Sequence, residues 1–122
     1  MRALLVEDEA LVAMFAEEVL DSLGFEAATA RSGAEARAKW AQSTPDLAII
    51  DVGLPDTRGD KLARELRGQM PGVKILIASG YDVVELREAF KDDGLTGFLP
   101  KPYTEEDLVK ATRALGFDVT SS

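Results

Sequence analysis

Leu4-Leu5-Val6-Glu7-Asp8-Glu9-Ala10 (LLVEDEA, residues 4–10) decides the fold. An apolar run from Ala3 to Val6 stops at two adjacent acids, Glu7 and Asp8, and Glu9 follows. A short, continuous apolar run is the mark of a strand buried on both faces, as in a parallel sheet covered by helices. Its end in like charges raises a physical question, because clustered carboxylates repel one another. The reason for them must lie in what they face.

Working outward, the same pattern recurs along the chain. Leu47-Ala48-Ile49-Ile50 runs into Asp51, Val73 to Ala78 runs into Ser79-Gly80, and Leu95 to Leu99 runs into Pro100-Lys101-Pro102. Phe25 to Thr29 is a weaker strand. Between these lie amphipathic stretches. Val12, Phe15, Val19 and Leu23 recur at helical spacing from Ala10 to Leu23, and Gly24 stops that helix as a C′ residue. Ser32-Gly33-Ala34-Glu35 has the form of a capping box opening a helix through Trp40. Trp40 itself reads as packing or a partly exposed contact.

A turn over residues 53–59 precedes a helix carrying Leu62 and Leu66, which Pro71-Gly72 breaks. Val83, Leu86 and Phe90 share one face of the next helix. Thr104 caps the last, with Glu105, Glu106 and Asp107 in its first turn and Leu108, Thr112 and Leu115 on one face. Five strands alternating with five helices predict one α/β domain, a doubly wound parallel sheet with helices on both faces.

Composition narrows the chemistry. The 122 residues are 46% hydrophobic and 30% charged, which suits one globular domain. A net charge of −8 argues against a duplex-binding surface and against docking on an anionic membrane. The chain has no cysteine, which excludes disulfides and thiolate chemistry and fits a cytoplasmic setting. It has no histidine, which excludes His-based triads, His-ligated metals and any phosphohistidine of its own. A metal here must be held by oxygen. No apolar stretch is long enough to span a bilayer, and no signal-peptide h-region precedes the first strand.

In open α/β sheets, ligands bind beyond the carboxyl ends of the strands. Those ends supply Glu7, Asp8, Asp51, Ser79 and Lys101. Singly, Ser79-Gly80 reads as a turn and Lys101 as a surface lysine. Together they place three acids, a hydroxyl and an ammonium at one edge. Three carboxylates with water and a backbone carbonyl suit magnesium. The anion that complements magnesium, a lysine and a hydroxyl together is a phosphoryl group.

At this point the sequence resembles the receiver domain of two-component response regulators over nearly its whole length. The segments LLVEDEA, AIIDVGLPDTRG, ILIASGY and GFLPKPY carry the likeness. The resemblance implies a flavodoxin-like receiver fold with strand order 2-1-3-4-5. It implies a receiver over residues 1–116, with 117–122 a short tail and no output domain. Asp51 is then the phosphoacceptor for a phosphohistidine on a histidine kinase or histidine phosphotransfer protein. Glu7, Asp8, Asp51 and the Gly53 backbone carbonyl hold magnesium or manganese. Ser79 and Lys101 bind the phosphoryl group, with Phe98 as the switch aromatic. The Lys101-Pro102 bond is expected to be cis. Gly53, Gly80 and Tyr81 would tune access to the acceptor. The output is a changed surface of the fourth helix, fifth strand and fifth helix, read by a downstream protein partner and not by DNA.

Other readings leave different marks. A phosphorylation-independent interaction module would not need the five site residues intact, and a phosphate sink or relay receiver would share them. A haloacid-dehalogenase-type phosphatase should carry an acid two residues after its nucleophile, where this chain has Gly53. A flavodoxin should carry a Ser/Thr-rich loop after the first strand, and a dinucleotide enzyme G-x-G-x-x-G; Glu7-Asp8-Glu9 is neither.

Overall fold

The computed structural model describes residues 1–80 and 83–119. The strands are β1 (Arg2–Val6), β2 (Glu26–Ala30), β3 (Leu47–Asp51), β4 (Lys74–Ser79) and β5 (Thr96–Pro100). The helices are α1 (Ala10–Ser22), α2 (Gly33–Gln42), α3 (Gly59–Gln69), α4 (Val83–Ala89) and α5 (Glu105–Ala114). The strands form one parallel sheet in the order β2-β1-β3-β4-β5. The expected fold is therefore the observed one. Among the described residues no helix is long and apolar enough to cross a membrane.

Strand alternation divides the core in two. Ala3, Leu5, Leu47, Ile49, Leu76, Ala78 and Leu99 face one side, under α1 and α5. Leu4, Val6, Ala48, Ile50, Ile75 and Ile77 face the other, under α2, α3 and α4. Both faces are covered, which is why β1, β3 and β4 read as unbroken apolar runs and not as alternating ones.

Local chemistry shifted several expected details. β2 starts at Glu26, because Phe25 turns into the core against Phe117, with ring centroids 5.2 Å apart. Gly24 closes α1 with a φ of 93°, as its C′ position requires. The buried stripe of α1 is Ala13, Ala16, Val19 and Leu20, not Val12 and Phe15. Alanines bring the helix axis close to the sheet, so Phe15 is displaced to the rim, where it meets Tyr103 at 6.2 Å. Ser32 accepts the Glu35 N–H at 3.1 Å, the expected half of a capping box. The Gly33 and Ala34 N–H groups donate instead to Asp56, at 2.8 and 3.0 Å, from the β3–α3 turn. Trp40 is core, 3% exposed, and its Nε1 donates to Gln69 at 3.0 Å.

Candidate functional site

The parallel order brings the carboxyl ends of β1, β3, β4 and β5 to one edge. Glu7 follows β1 directly, and its N–H donates to the Ala30 carbonyl at 2.9 Å, which extends the β1–β2 ladder by one residue. Asp51 is the last residue of β3, paired with Ala78. Ser79 ends β4 opposite Pro100. Pro100 has no N–H to give and sits on the edge strand, as its chemistry demands. The Lys101 N–H then donates to the Ser79 carbonyl at 2.9 Å, carrying the pairing one step further. The Lys101-Pro102 peptide is cis.

Lys101 Nζ lies 3.2 Å from Glu7 Oε1 and 3.2 Å from Asp51 Oδ1, bridging the two carboxylates. Glu7 is 2% exposed and Asp51 6%. Asp8 differs from them in being exposed, yet carboxylate oxygens of Glu7, Asp8 and Asp51 all lie within 4.8 Å of one another. This donor set is all oxygen and anionic, which fits a hard divalent ion such as magnesium. Ser79 is buried beside them. A cleft of about 430 Å³ opens over Asp51, lined also by Gly53, Arg58, Ser79, Gly80 and Lys101. A Cβ on Gly53 would sit 3.7 Å from Asp51 Oδ2, and one on Gly80 would meet nothing within 4 Å. Both glycines therefore leave the approach open. Tyr81 lies outside the described residues.

The electrostatics follow from this crowding. Burial raises the Glu7 pKa above its ordinary value, the Asp51 charge adds to that, and Lys101 opposes it. Burial alone would lower the Lys101 pKa, but the Asp51 and Glu7 carboxylates outweigh it and raise it. Burial, with the Glu7 charge behind it, pushes the Tyr103 phenol up to about 12, so the ring stays neutral.

One consequence is a reversed pH response. Because the folded protein holds the Glu7 proton more tightly than the unfolded chain does, ionising Glu7 costs stability. Metal-free protein should lose that share of stability as pH rises from 4.5 through the raised folded value, with a plateau above. Glu7→Gln should therefore be more stable than the parent chain at pH 7 in EDTA, and the gap should close on acidification. Urea titrations across that range check it; a Gln variant less stable at every pH contradicts it.

Phe98 stands apart from the carboxylates. It is half-buried on β5, its ring edge-on to Phe90 at 6.4 Å, with the Arg87 guanidinium 5.3 Å above it. Two features of the site were not legible from residue types. Gly59 packs on the Asp51 backbone so closely that a Cβ would fall 2.0 Å from the Asp51 carbonyl oxygen. Asp56 ties the turn after Asp51 to the start of α2.

Comparison with known proteins agrees with this geometry. Residues 3–113 match the response regulator receiver domain. The chain belongs to that family. As a receiver domain of two-component regulators it has a signalling role governed by phosphorylation. It is 34% identical over 112 residues to the probable transcriptional regulatory protein TcrX of Mycobacterium tuberculosis, covering 92% of this chain and 48% of that one. It is 34% identical over 115 residues to the response regulator MprA of the same species, covering 94% and 50%. The receiver thus spans about half the length of the curated relatives it matches. Among solved structures, Vibrio cholerae CheY4 superposes with a TM-score of 0.85 at 29% identity, covering 93% of this chain and 97% of that one. A CheY-like receiver from Methanospirillum hungatei gives 0.83 at 27% identity, covering 92% and 90%.

Proposed function

We propose that Asp51 accepts a phosphoryl group from a phosphohistidine on a histidine kinase or histidine phosphotransfer protein, in a magnesium-dependent reaction, and that this receiver signals in the cytoplasm through a protein partner. The observation that carries the reading is the bridge from Lys101 to both Glu7 and Asp51, beside a third carboxylate within metal-binding reach. Two buried carboxylates around one ammonium, with an exposed third beside them, are costly to fold, and a cation with a phosphoryl group accounts for them.

Magnesium or manganese, held by Glu7, Asp8, Asp51 and the Gly53 carbonyl, supplies charge neutralisation for the phosphoryl oxygens when bound. The chain's own residues do the rest. Asp51 attacks phosphorus from the open cleft, and the donor imidazole leaves. Lys101 exchanges a carboxylate for a phosphoryl oxygen, a charge-assisted contact that strengthens as the group transfers. Ser79, at the end of β4 and lining the same cleft, supplies a hydroxyl to the phosphoryl group. The acyl phosphate adds charge and acceptors at Asp51, which draws Ser79 inward. Phe98, half-buried between Phe90 and Arg87, then shifts its packing and alters the α4–β5–α5 surface. The protein is a signalling switch and not an enzyme acting on others.

Intact mass after incubation with phosphoramidate, with magnesium and with EDTA, tests the reading. A single phosphoryl adduct that needs the metal is expected. No adduct from small donors or from a purified histidine kinase would leave a phosphorylation-independent interaction module as the better account.

A further inference from the structure

The turn between β3 and α3 carries a cation that the chemistry above does not use. Arg58 lines the same cleft as Asp51, Ser79 and Lys101. Its place there is fixed by the backbone. Gly59 lies against the Asp51 carbonyl, closer than any side chain would allow, and its N–H donates to the Val52 carbonyl at 2.9 Å. The residue before Gly59 is thereby held beside the acceptor's own strand end. Arg58 also pairs with Gly53 in an isolated antiparallel bridge. Side chains of directly opposed residues stand on the same face of such a pair. Gly53 has none, and the space its Cβ would take lies 3.7 Å from Asp51 Oδ2. The open position next to the acceptor carboxylate therefore faces an arginine.

Arg58 has no fixed structural duty that would hold it back. It is the N-cap residue of α3, yet its side chain makes no capping bond. Its guanidinium pairs with Asp60 at 3.0 Å and its side chain is 68% exposed. Asp60 is 16% exposed, but the guanidinium side of the pair stands in water and is screened there, so the arginine can change partner at modest cost. The incentive to change is electrostatic. Glu9 and Asp51 line the cleft, with the Glu7 and Asp8 carboxylates close to Asp51, and an anionic phosphodonor must approach that field. A guanidinium fork matches two phosphoryl oxygens at once.

We infer that Arg58 is a phosphodonor-binding residue. Its guanidinium leaves Asp60 and takes phosphoryl oxygens across Gly53, on the solvent side of Asp51. The inference rests on Asp51 being the phosphoacceptor.

The test follows acetyl phosphate by intact mass at sub-saturating donor, and beryllofluoride with magnesium by fluorine NMR, on folded variants. Arg58→Ala should slow adduct formation about tenfold, the scale of a lost charged hydrogen bond, and raise the beryllofluoride needed for half-occupancy by a similar factor. Arg58→Lys should restore part of both. Asp60→Asn frees the guanidinium and should move both quantities the other way, about twofold, whereas the double variant should match Arg58→Ala. A purely structural Arg58–Asp60 pair predicts the same direction for both single variants, and that result overturns the inference. So does Arg58→Ala with parental rate and affinity while the parent chain takes its adduct on Asp51. An absence of any adduct on the parent chain overturns the acceptor reading, and this one with it.

Discussion

Asp51→Asn should take no phosphoryl group from any donor, and in metal-free buffer it should be at least as stable as the parent chain. The two halves of this result have one cause. The carboxylate is the nucleophile in the proposed reaction, and an amide of the same shape cannot form the acyl phosphate. The same carboxylate also sits within reach of Glu7 and Asp8 and shares a single ammonium with Glu7. Removing this charge relieves its repulsion of Glu7, and that offsets the attraction to Lys101 that is given up. Asn can still accept from Lys101, so the fold keeps its hydrogen bond.

Lys101→Ala should also impair adduct formation, but it should shift stability the opposite way. It leaves Glu7, which is 2% exposed, and Asp51, which is 6% exposed, without their shared counter-charge. Stripping one partner from such a cluster costs about 3 kcal/mol in the absence of a metal. Loss of a preorganised donor to the transferring group should slow adduct formation roughly 10²–10³-fold. Thermal unfolding in EDTA and intact mass, run on both variants, check the signs. If the two substitutions shift stability in the same direction, the cluster is not held in the frustrated balance the geometry describes.

That imbalance is the part of the protein the sequence displays most openly. Apolar strands that stop dead at Glu7, Asp51, Ser79 and Lys101 place their polar residues at one sheet edge by topology alone, and the structure brings all four together. What the pattern does not show is how unequal they are. Glu7 and Asp8 look alike as adjacent acids, but the ladder bond from the Glu7 N–H to Ala30 turns one inward and leaves the other exposed. Gly59 looks like any turn glycine, because a close approach to a carbonyl 8 positions earlier is a tertiary fact. Asp56 reads as a turn acid, although its acceptors serve a helix 23 residues away. Boundaries such as that of β2 slipped by one residue where a large side chain, Phe25, took a core site in place of a ladder position.

The residue whose weight was least visible is Arg67, and Arg67→Ala should be among the most destabilising single changes in the chain. On the sequence it is one more charge on an amphipathic helix, where a solvated face is the ordinary expectation. In the structure its Nε donates to Asp93 at 2.8 Å and its other nitrogens reach Thr96 Oγ1 at 3.0 Å, Pro71 O at 3.1 Å, Leu95 O at 3.2 Å and Val73 O. Three of those acceptors are backbone carbonyls, which leave no trace in residue type. The guanidinium thus ties the end of α3 to the starts of β4 and β5, with 19% of the side chain exposed. Truncation strands Asp93 and several carbonyls together, which should cost about 3–4 kcal/mol. In urea this appears as a lower midpoint at unchanged slope. Arg67→Lys should recover less than half, since an ammonium has three donors and no fork. These contacts lie at the amino ends of the strands, opposite the carboxylates. The folded fraction of Arg67→Ala should therefore still form the Asp51 adduct at the parental rate. A variant that keeps its stability would show the network to be decorative. One that folds but loses the adduct would show that the two ends of the sheet are coupled, whereas the geometry has one end holding the fold together and the other holding charge in readiness.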